Sequence, residues 1–504
     1  MRARPSNLKG PSRERVVVSQ TSLEGPAWGE GRRRILLTGA TGAWGRVTLT
    51  ALRQHADRLA ITALVLPTRD QDAAAEEIGE PGAVRVVRGD LTDAPLMARL
   101  VAETDLVVHL GGMVSPAADQ DPVRTRRVNV GTMRNIVAGV KALPDPSRVT
   151  VVGVGSVAQT GPRPQPVHWG RAGDPLRASD MDLYTQSKIA AERILVDSGL
   201  PRWTWLRQTG MLSPAVMRQR DPIALHVPLD GVIEWVSDLD SARLLTRIAL
   251  GECDESLFAR VHNVGGGRAW RLTNWEILTR LARAMGARGI SQWYERNWFA
   301  TGSFHGHWFT DSDALEQIVP FRSEDPTTAI ARCVAASPWV VRRAGLWPGW
   351  LVRALVTGPM ARAPRGTLRA LHDGDERAVR AFFGSRQAWE EIGDWSGFVV
   401  PAPSRRPSYL DHGYDESVGM RQWDASLYRQ AAAFHGGELL SADVVAGQAR
   451  RLLTWRCCQG HEFTASPVLV LHAGHWCPRC TADTQGYERQ AEENAFLAQV
   501  VVPR

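Results

Sequence analysis

Five short apolar runs recur in the first third of the chain: Arg34-Ile35-Leu36-Leu37, Ile61 to Leu66, Val84 to Val87, Leu106 to Leu110 and Val149 to Val154. Each suits a strand buried on both faces, and the stretches between them leave room for helices. That alternation predicts repeated βα units, hence an α/β fold with a doubly wound parallel sheet. Over residues 310–430 the pattern loosens into helical stretches and loops such as Pro401-Ala402-Pro403-Ser404, in which the sequence names no chemistry. Trp339 to Leu355 is the best candidate for membrane contact, but Arg342, Arg343, Pro348 and Arg353 interrupt it, so it cannot span a bilayer. It can make a peripheral contact, with tryptophans among the headgroups and arginines snorkelling. A helix packed over a binding pocket is the commoner use of such a stretch and is the expectation here.

The first run ends in Thr38-Gly39-Ala40-Thr41-Gly42-Ala43-Trp44-Gly45-Arg46, and a helical stretch follows. Strand, tight glycine turn and helix N-terminus form a cradle whose backbone N–H groups and helix dipole face a pyrophosphate, as in a Rossmann dinucleotide site. Gly39 permits the turn, Gly42 the close approach of phosphate, and Gly45 the packing of helix on strand. Where an acid often closes the second strand to hold a ribose, the chain has Leu66-Pro67-Thr68-Arg69. NAD preference therefore lacks its usual support, and Arg69 tips the expectation slightly toward NADP.

Of the 60 basic residues only Lys9, Lys141 and Lys188 are lysine, and Tyr184 is the only tyrosine before Tyr294. Random placement would give about 0.04 Tyr-x-x-x-Lys pairs. The run Tyr184-Thr185-Gln186-Ser187-Lys188 therefore stands out. On a helix the two side chains share a face. There an ammonium favours the phenolate and lowers the phenol's pKa, which makes a proton-transfer device for an alcohol or carbonyl.

Taken in order, Thr38 to Gly45, Gly89-Asp90-Leu91-Thr92-Asp93, Val107-Val108-His109-Leu110, Asn129-Val130-Gly131-Thr132, Ser156 ahead of Gly161, and Tyr184 to Lys188 make residues 32–300 resemble the extended short-chain dehydrogenase/reductase superfamily, which includes the NAD-dependent epimerase/dehydratase family. Trp235 to Ala242 and Val261 to Gly267 are similar to its substrate-domain segments. The resemblance implies a cofactor held by Gly39, Thr41, Gly42, Ala43, Trp44 and Gly45, with Asp90 and Leu91 bordering the adenine. It places Leu110, Gly111 and Gly112 along the ribose and phosphates. Ser156 falls at the family's catalytic Ser/Thr, Tyr184 at its general acid/base, and Lys188 at the lysine that holds the nicotinamide ribose. Members of this superfamily are often dimers, so the resemblance also implies a homodimer.

Near the C-terminus, Trp455-Arg456-Cys457-Cys458-Gln459-Gly460-His461 and Gly474-His475-Trp476-Cys477-Pro478-Arg479-Cys480 supply Cys-x3-His and Cys-x2-Cys pairs. Two such pairs joined by a hairpin-length segment can close a tetrahedron around zinc, for which Cys457, His461, Cys477 and Cys480 are the expected ligands. Cys458 is an alternative to Cys457, and His475 or His472 can stand behind the ligands. The segment resembles a zinc-ribbon module. Four protein ligands leave no open position, so the metal is expected to be structural. Phe304-His305-Gly306-His307-Trp308-Phe309 lacks a nearby thiolate and is expected to pack or to touch substrate rather than hold metal.

A length of 504 residues suggests roughly two or three domains. The expected division is a disordered basic tail over 1–31, a Rossmann and smaller substrate domain over 32–300, a helical or irregular substrate-side extension over 301–430, and a zinc-ribbon-like module over 431–504. The net charge of +7 is spread over many arginines rather than gathered in a block, so it argues only weakly for nucleic acid or anionic membranes, and nucleic acid is not an expected partner. Six cysteines make no disulfide framework, and residues 1–30 lack an apolar signal segment, so a reducing, cytoplasmic setting is expected. The resulting expectation is an NAD(P)-dependent oxidoreductase that interconverts a secondary alcohol and a ketone on a small, apolar or ring-containing molecule. Two alternatives stand beside it. One is a nucleotide-sugar epimerase or dehydratase, against which Val157 and Ala158 count because a dehydratase usually has acids beside its Ser/Thr. The other is a dinucleotide-binding regulatory protein that acts through its zinc ribbon.

Overall fold

The computed structural model describes residues 31–501 apart from 81, 116, 180–181, 219–220 and 303. The basic tail expected over 1–31 thus falls, but for Gly31, outside the described residues. Seven parallel strands form the central sheet: β1 Arg33–Thr38, β2 Leu59–Val65, β3 Val84–Arg88, β4 Leu106–His109, β5 Thr150–Ser156, β6 Trp203–Gln208 and β7 Arg260–Val264. Their spatial order is β7-β6-β5-β4-β1-β2-β3. The chain winds one way from β1 to β3 and the other way from β4 to β7, so the crevice between β1 and β4 is the switch point where such sheets bind ligands.

Alternate residues of each strand serve opposite layers. Ile35 and Leu37 pack with Leu49 and Leu52 of α1 (Ala43–Arg53) on one face. Leu36 turns to the other, among Met97 of α3 (Ala94–Ala102) and Met133 and Ile136 of α4 (Pro122–Lys141). The α2 helix, Arg69–Ile78, joins β2 to β3. Aspartates start α3, α4 and α5: Asp93 accepts from Leu96 N–H, Asp121 from Arg124 N–H, and Asp182 from Thr185 N–H at the head of α5, Leu183–Val196.

The last two strands were not legible as apolar runs. β6 reads Trp-Thr-Trp-Leu-Arg-Gln and is wholly buried, Arg207 included. What covers this side of the sheet is the C-terminal segment. A three-stranded antiparallel sheet, β8 Glu438–Leu439, β9 Leu453–Arg456 and β10 Glu462–Ala465, brings Trp455, Phe463 and Trp476 into one core with Trp203, Trp205 and Val261. Ser466 Oγ donates to Asp197 at the end of α5 at 2.6 Å, and Arg207 donates to Ala473 O at 2.6 Å. The extension after residue 301 folds into short helices and loops that lean on the substrate side of the sheet. Trp339 to Leu355 is not the expected helix over the pocket. It breaks into short turns at Arg343 and Pro348, and its tryptophans are exposed. No helix among the described residues is long and apolar enough to cross a membrane.

Candidate active site and metal centre

The glycine cradle lies at the C-terminal ends of β1 and β4. Gly39 has φ +73°, and a Cβ there would stand 2.7 Å from Gly111 N. Gly45 opens α1 so close to the turn that a Cβ would come within 1.9 Å of Gly39 O. The Gly42 N–H closes the turn on Gly39 O at 3.0 Å, while Thr41, Ala43 and Trp44 complete the rim. Thr38 Oγ1 accepts from Gly111 N–H at 3.0 Å and so holds the Leu110-Gly111-Gly112 turn beside the cradle. Leu91 backs Gly111, whose Cβ position lies 2.8 Å from Leu91 Cδ1. Asp90 is occupied locally, accepting from Thr92 N–H and Oγ1 at 2.8 and 2.9 Å. Arg69 is the first residue of α2 and is exposed just beyond β2. Gly39, Gly45 and Gly111 therefore meet at the β1/β4 crevice, whereas Arg69 lies beyond the end of β2.

Asp182 starts α5 so that Tyr184 and Lys188 fall one turn apart on its first two turns. Lys188 is buried and its Nζ donates to Val154 O at 2.9 Å. Burial lowers its pKa to about 8. Its Nζ lies 5.9 Å from the centre of the Tyr184 ring. Ser156 ends β5 and meets Tyr184, and its hydroxyl favours the phenolate. Even so, burial first and the nearby Asp182 second push the Tyr184 phenol above its usual value. The expected lowering by Lys188 does not prevail here, because the ammonium turns to the Val154 carbonyl while burial and Asp182 act on the phenol. At neutral pH the tyrosine is held as the acid.

Other residues fix this geometry. Asn129 accepts from Met113 N–H at 2.8 Å and donates to Met113 O and Ser187 Oγ at 3.0 and 2.9 Å, which ties α4 to α5 across the cradle. Gln159 Oε1 accepts from the Ser156 N–H at 2.9 Å, and its Nε2 donates to Glu192 at 2.7 Å. Glu192, one turn beyond Lys188, also takes Arg207 at 2.5 and 3.0 Å and faces His475 Nε2 at 2.9 Å. Glu192 and Arg207 are completely buried, and Arg207 holds the carboxyl down to about 2 against the effect of burial. Asn129 stood in a quoted motif without a role. Glu192 and Arg207 carried only the signal of opposite charges in segments that otherwise read as buried.

Tyr184 and Ser156 open onto a cavity of about 790 Å³, within the range of small-molecule sites. Phe304, His305, His226 and Phe382 give it an aromatic wall, with His226 and Phe382 ring centres 4.5 Å apart. Arg177, Arg365, Arg369 and Arg377 also line it. Arg365 takes φ +69°, costly for an L residue, while its carbonyl bonds His226 at 2.8 Å. Tyr487, from the C-terminal tail, reaches the same cavity. The sequence offered no chemistry for residues 310–430, yet they supply much of this wall. His305 faces the cavity and His307 is buried against Thr160 at 3.3 Å.

The four metal-ligand candidates come together. The ligand atoms of Cys457, His461, Cys477 and Cys480 all lie within 4.8 Å of one another, with Sγ of Cys457 and Cys480 3.6 Å apart and His461 Nδ1 3.6 and 3.5 Å from Cys477 and Cys480. Zn–S bonds of about 2.3 Å and Zn–N bonds of about 2.0 Å in a tetrahedron give edges of about 3.5–3.8 Å. The donor set therefore fits zinc. Cys458 lies outside the cluster, and His475 serves Glu192 instead.

A seven-stranded parallel sheet with a glycine cradle at its switch point and a Ser, Tyr and Lys beside it has the architecture of a Rossmann fold. Residues 35–215 match the model of the NAD dependent epimerase/dehydratase family. Human 3 beta-hydroxysteroid dehydrogenase type 7 is 30% identical over 203 residues, 37% of this chain and 52% of that protein. A dTDP-glucose 4,6-dehydratase of Mycobacterium tuberculosis is 40% identical over 79 residues, 15% of this chain and 23% of that protein. The chain thus spans about half or less of the length of these relatives. A UDP-glucose-4-epimerase structure from Stenotrophomonas maltophila with bound NAD is similar at 17% identity and a TM-score of 0.48, covering 62% of this chain and 98% of that one.

Proposed function

We propose that this protein is an NAD(P)-dependent oxidoreductase that interconverts a secondary alcohol and a ketone, with Tyr184 as general acid/base. The observation that carries the proposal is the meeting of Ser156, Tyr184 and Lys188 at the mouth of the glycine cradle, with Ser156 and Tyr184 opening onto an aromatic-walled cavity. A nicotinamide bound at the cradle would supply the hydride exchange. Tyr184, held as the acid, would give its proton to the carbonyl oxygen of a ketone, and the Ser156 hydroxyl would hold that oxygen in line. Lys188, fixed on Val154 O, would hold the ribose and replace positive charge near the phenol as it loses its proton. The aromatic wall favours a small organic substrate with an apolar or ring-containing body. Arg69 keeps the slight lean to NADP.

A structural zinc at Cys457, His461, Cys477 and Cys480 belongs to the same proposal. Its four donors leave no site for substrate, so its contribution is to folding. Six cysteines of which three converge on this one cluster suit a reducing, cytoplasmic setting.

A nucleotide-sugar epimerase or dehydratase is the second reading. Arg177, Arg365 and Arg377 on the cavity wall favour it, because guanidinium groups could meet a diphosphate, while Arg369 is paired with Asp373. Progress curves of protein with cofactor and candidate substrates separate the two, since an oxidoreductase changes net reduced cofactor and an epimerase does not. In either case Tyr184→Phe should lower kcat by at least about a hundredfold with cofactor affinity retained. Unchanged turnover in that variant would remove Tyr184 from the chemistry.

A further inference from the structure

Between Asp325 and Asp373 the chain carries no acidic residue and seven arginines. In the middle of this basic stretch, Trp339 is 64% exposed, Leu346 73%, Trp350 65% and Leu355 65%, with Val340 and Trp347 also open to solvent. The arrangement reverses the packing of a core. Gly345 is pressed on the Gly286 backbone, where a Cβ would come within 2.0 Å, and Gly349 on Gln292 O, at 2.3 Å. Ala344 and Val352 pack inward on the cluster around Ile290 and Trp293, and Thr357 Oγ1 anchors to Trp293 O at 2.5 Å. The small residues thus face the protein while tryptophans and leucines face out. Arg342 and Arg343 stand exposed among them and make no ion pair among the described residues.

Exposed tryptophans flanked by unpaired arginines, on short turns that cannot span, are the physical signature of a surface that rests in the headgroup region. We propose that residues 339–355 seat this protein on the surface of an anionic lipid bilayer. Charge selects this occupant over a second copy of the chain. A symmetric pair would set Arg342 and Arg343 of one copy against those of the other, with the nearby Glu295 already paired to Arg353 at 3.3 Å, whereas anionic headgroups complement them. The same basic stretch continues along the chain to Arg365 and Arg369, which line the cavity. The surface stands on its own observations and does not depend on the reaction assigned to Tyr184.

The test is co-sedimentation of the full chain with vesicles of phosphatidylcholine alone and of phosphatidylcholine with a third phosphatidylglycerol. Trp347→Ser/Trp350→Ser and Arg342→Glu/Arg343→Glu serve as variants at exposed positions, with thermal melting to show that both still fold. The wild type should pellet with the anionic vesicles and be released by salt, and the arginine reversal should lower partitioning by about tenfold or more. Failure to bind anionic vesicles, equal binding to neutral ones, or binding unchanged in folded variants would overturn the proposal. A dimer in sedimentation velocity that Trp347→Ser/Trp350→Ser dissociates, without vesicle binding, would assign the face to a second copy instead.

Discussion

Lys188 is the residue whose environment departs most from what its spacing to Tyr184 implies. Burial brings it to about 8, well below the unfolded value of about 10.5. The unfolded chain therefore binds the extra proton between these values, and the folded protein gains stability as pH rises from about 8 to 10.5. Removing the charge with Lys188→Met should change stability, relative to wild type, most favourably below pH 8, with that difference shrinking toward pH 10.5. Thermal melting of both proteins across this range checks the slope, and a pH-independent difference would contradict it. In Gly45→Ala the added Cβ meets Gly39 O, so α1 must shift from the turn at a cost on the order of 1–3 kcal/mol. Melting and cofactor titration should both register it. The glycines, Ser156, Tyr184 and Lys188 were legible because their chemistry depends on short local spacings. Asn129, Gln159 and Glu192 were not, because their partners are brought together only by the fold.

At the scale of elements, the five strands expected from apolar runs match β1 to β5, with ends moved by a residue or two. β6 and β7 escaped that pattern because Arg207 and His262 interrupt it, and Arg207 is buried only because Glu192 of α5 neutralises it. Glu192 therefore joins three elements, α5, β6 and the turn after β5. Glu192→Gln would leave Arg207 as a buried unpaired cation at a cost of about 3–5 kcal/mol. The carboxyl, held near 2, contributes stability that is complete above its unfolded value near 4.5 and is lost as pH falls through about 2. The variant should melt earlier at pH 7, and kcat should fall more than cofactor affinity because Gln159 and the Ser156 N–H lose their support. A variant as stable and active as wild type would show that the hub is dispensable.

Over the whole molecule, the C-terminal segment is a layer of the sheet rather than an appendage. Trp455, Phe463 and Trp476 share a core with Trp203 and Trp205, and Tyr487 lines the cavity. The Cys-x3-His and Cys-x2-Cys spacing singled out the four side chains that cluster, but no sequence pattern revealed which surface the module covers. With one zinc bound per chain, Cys477→Ser/Cys480→Ser or a strong chelator should lower a single cooperative melt and weaken cofactor binding with it. A separate early transition that leaves the rest unchanged would instead make the module autonomous.

Calorimetric titration of NADH and NADPH into zinc-replete protein and into Tyr184→Phe bears most directly on the dinucleotide site beneath all of this. One reduced cofactor, with NADPH slightly favoured, should bind both proteins with similar affinity at one site per chain. Binding of neither to the folded wild type would contradict the dinucleotide site and the oxidoreductase built on it.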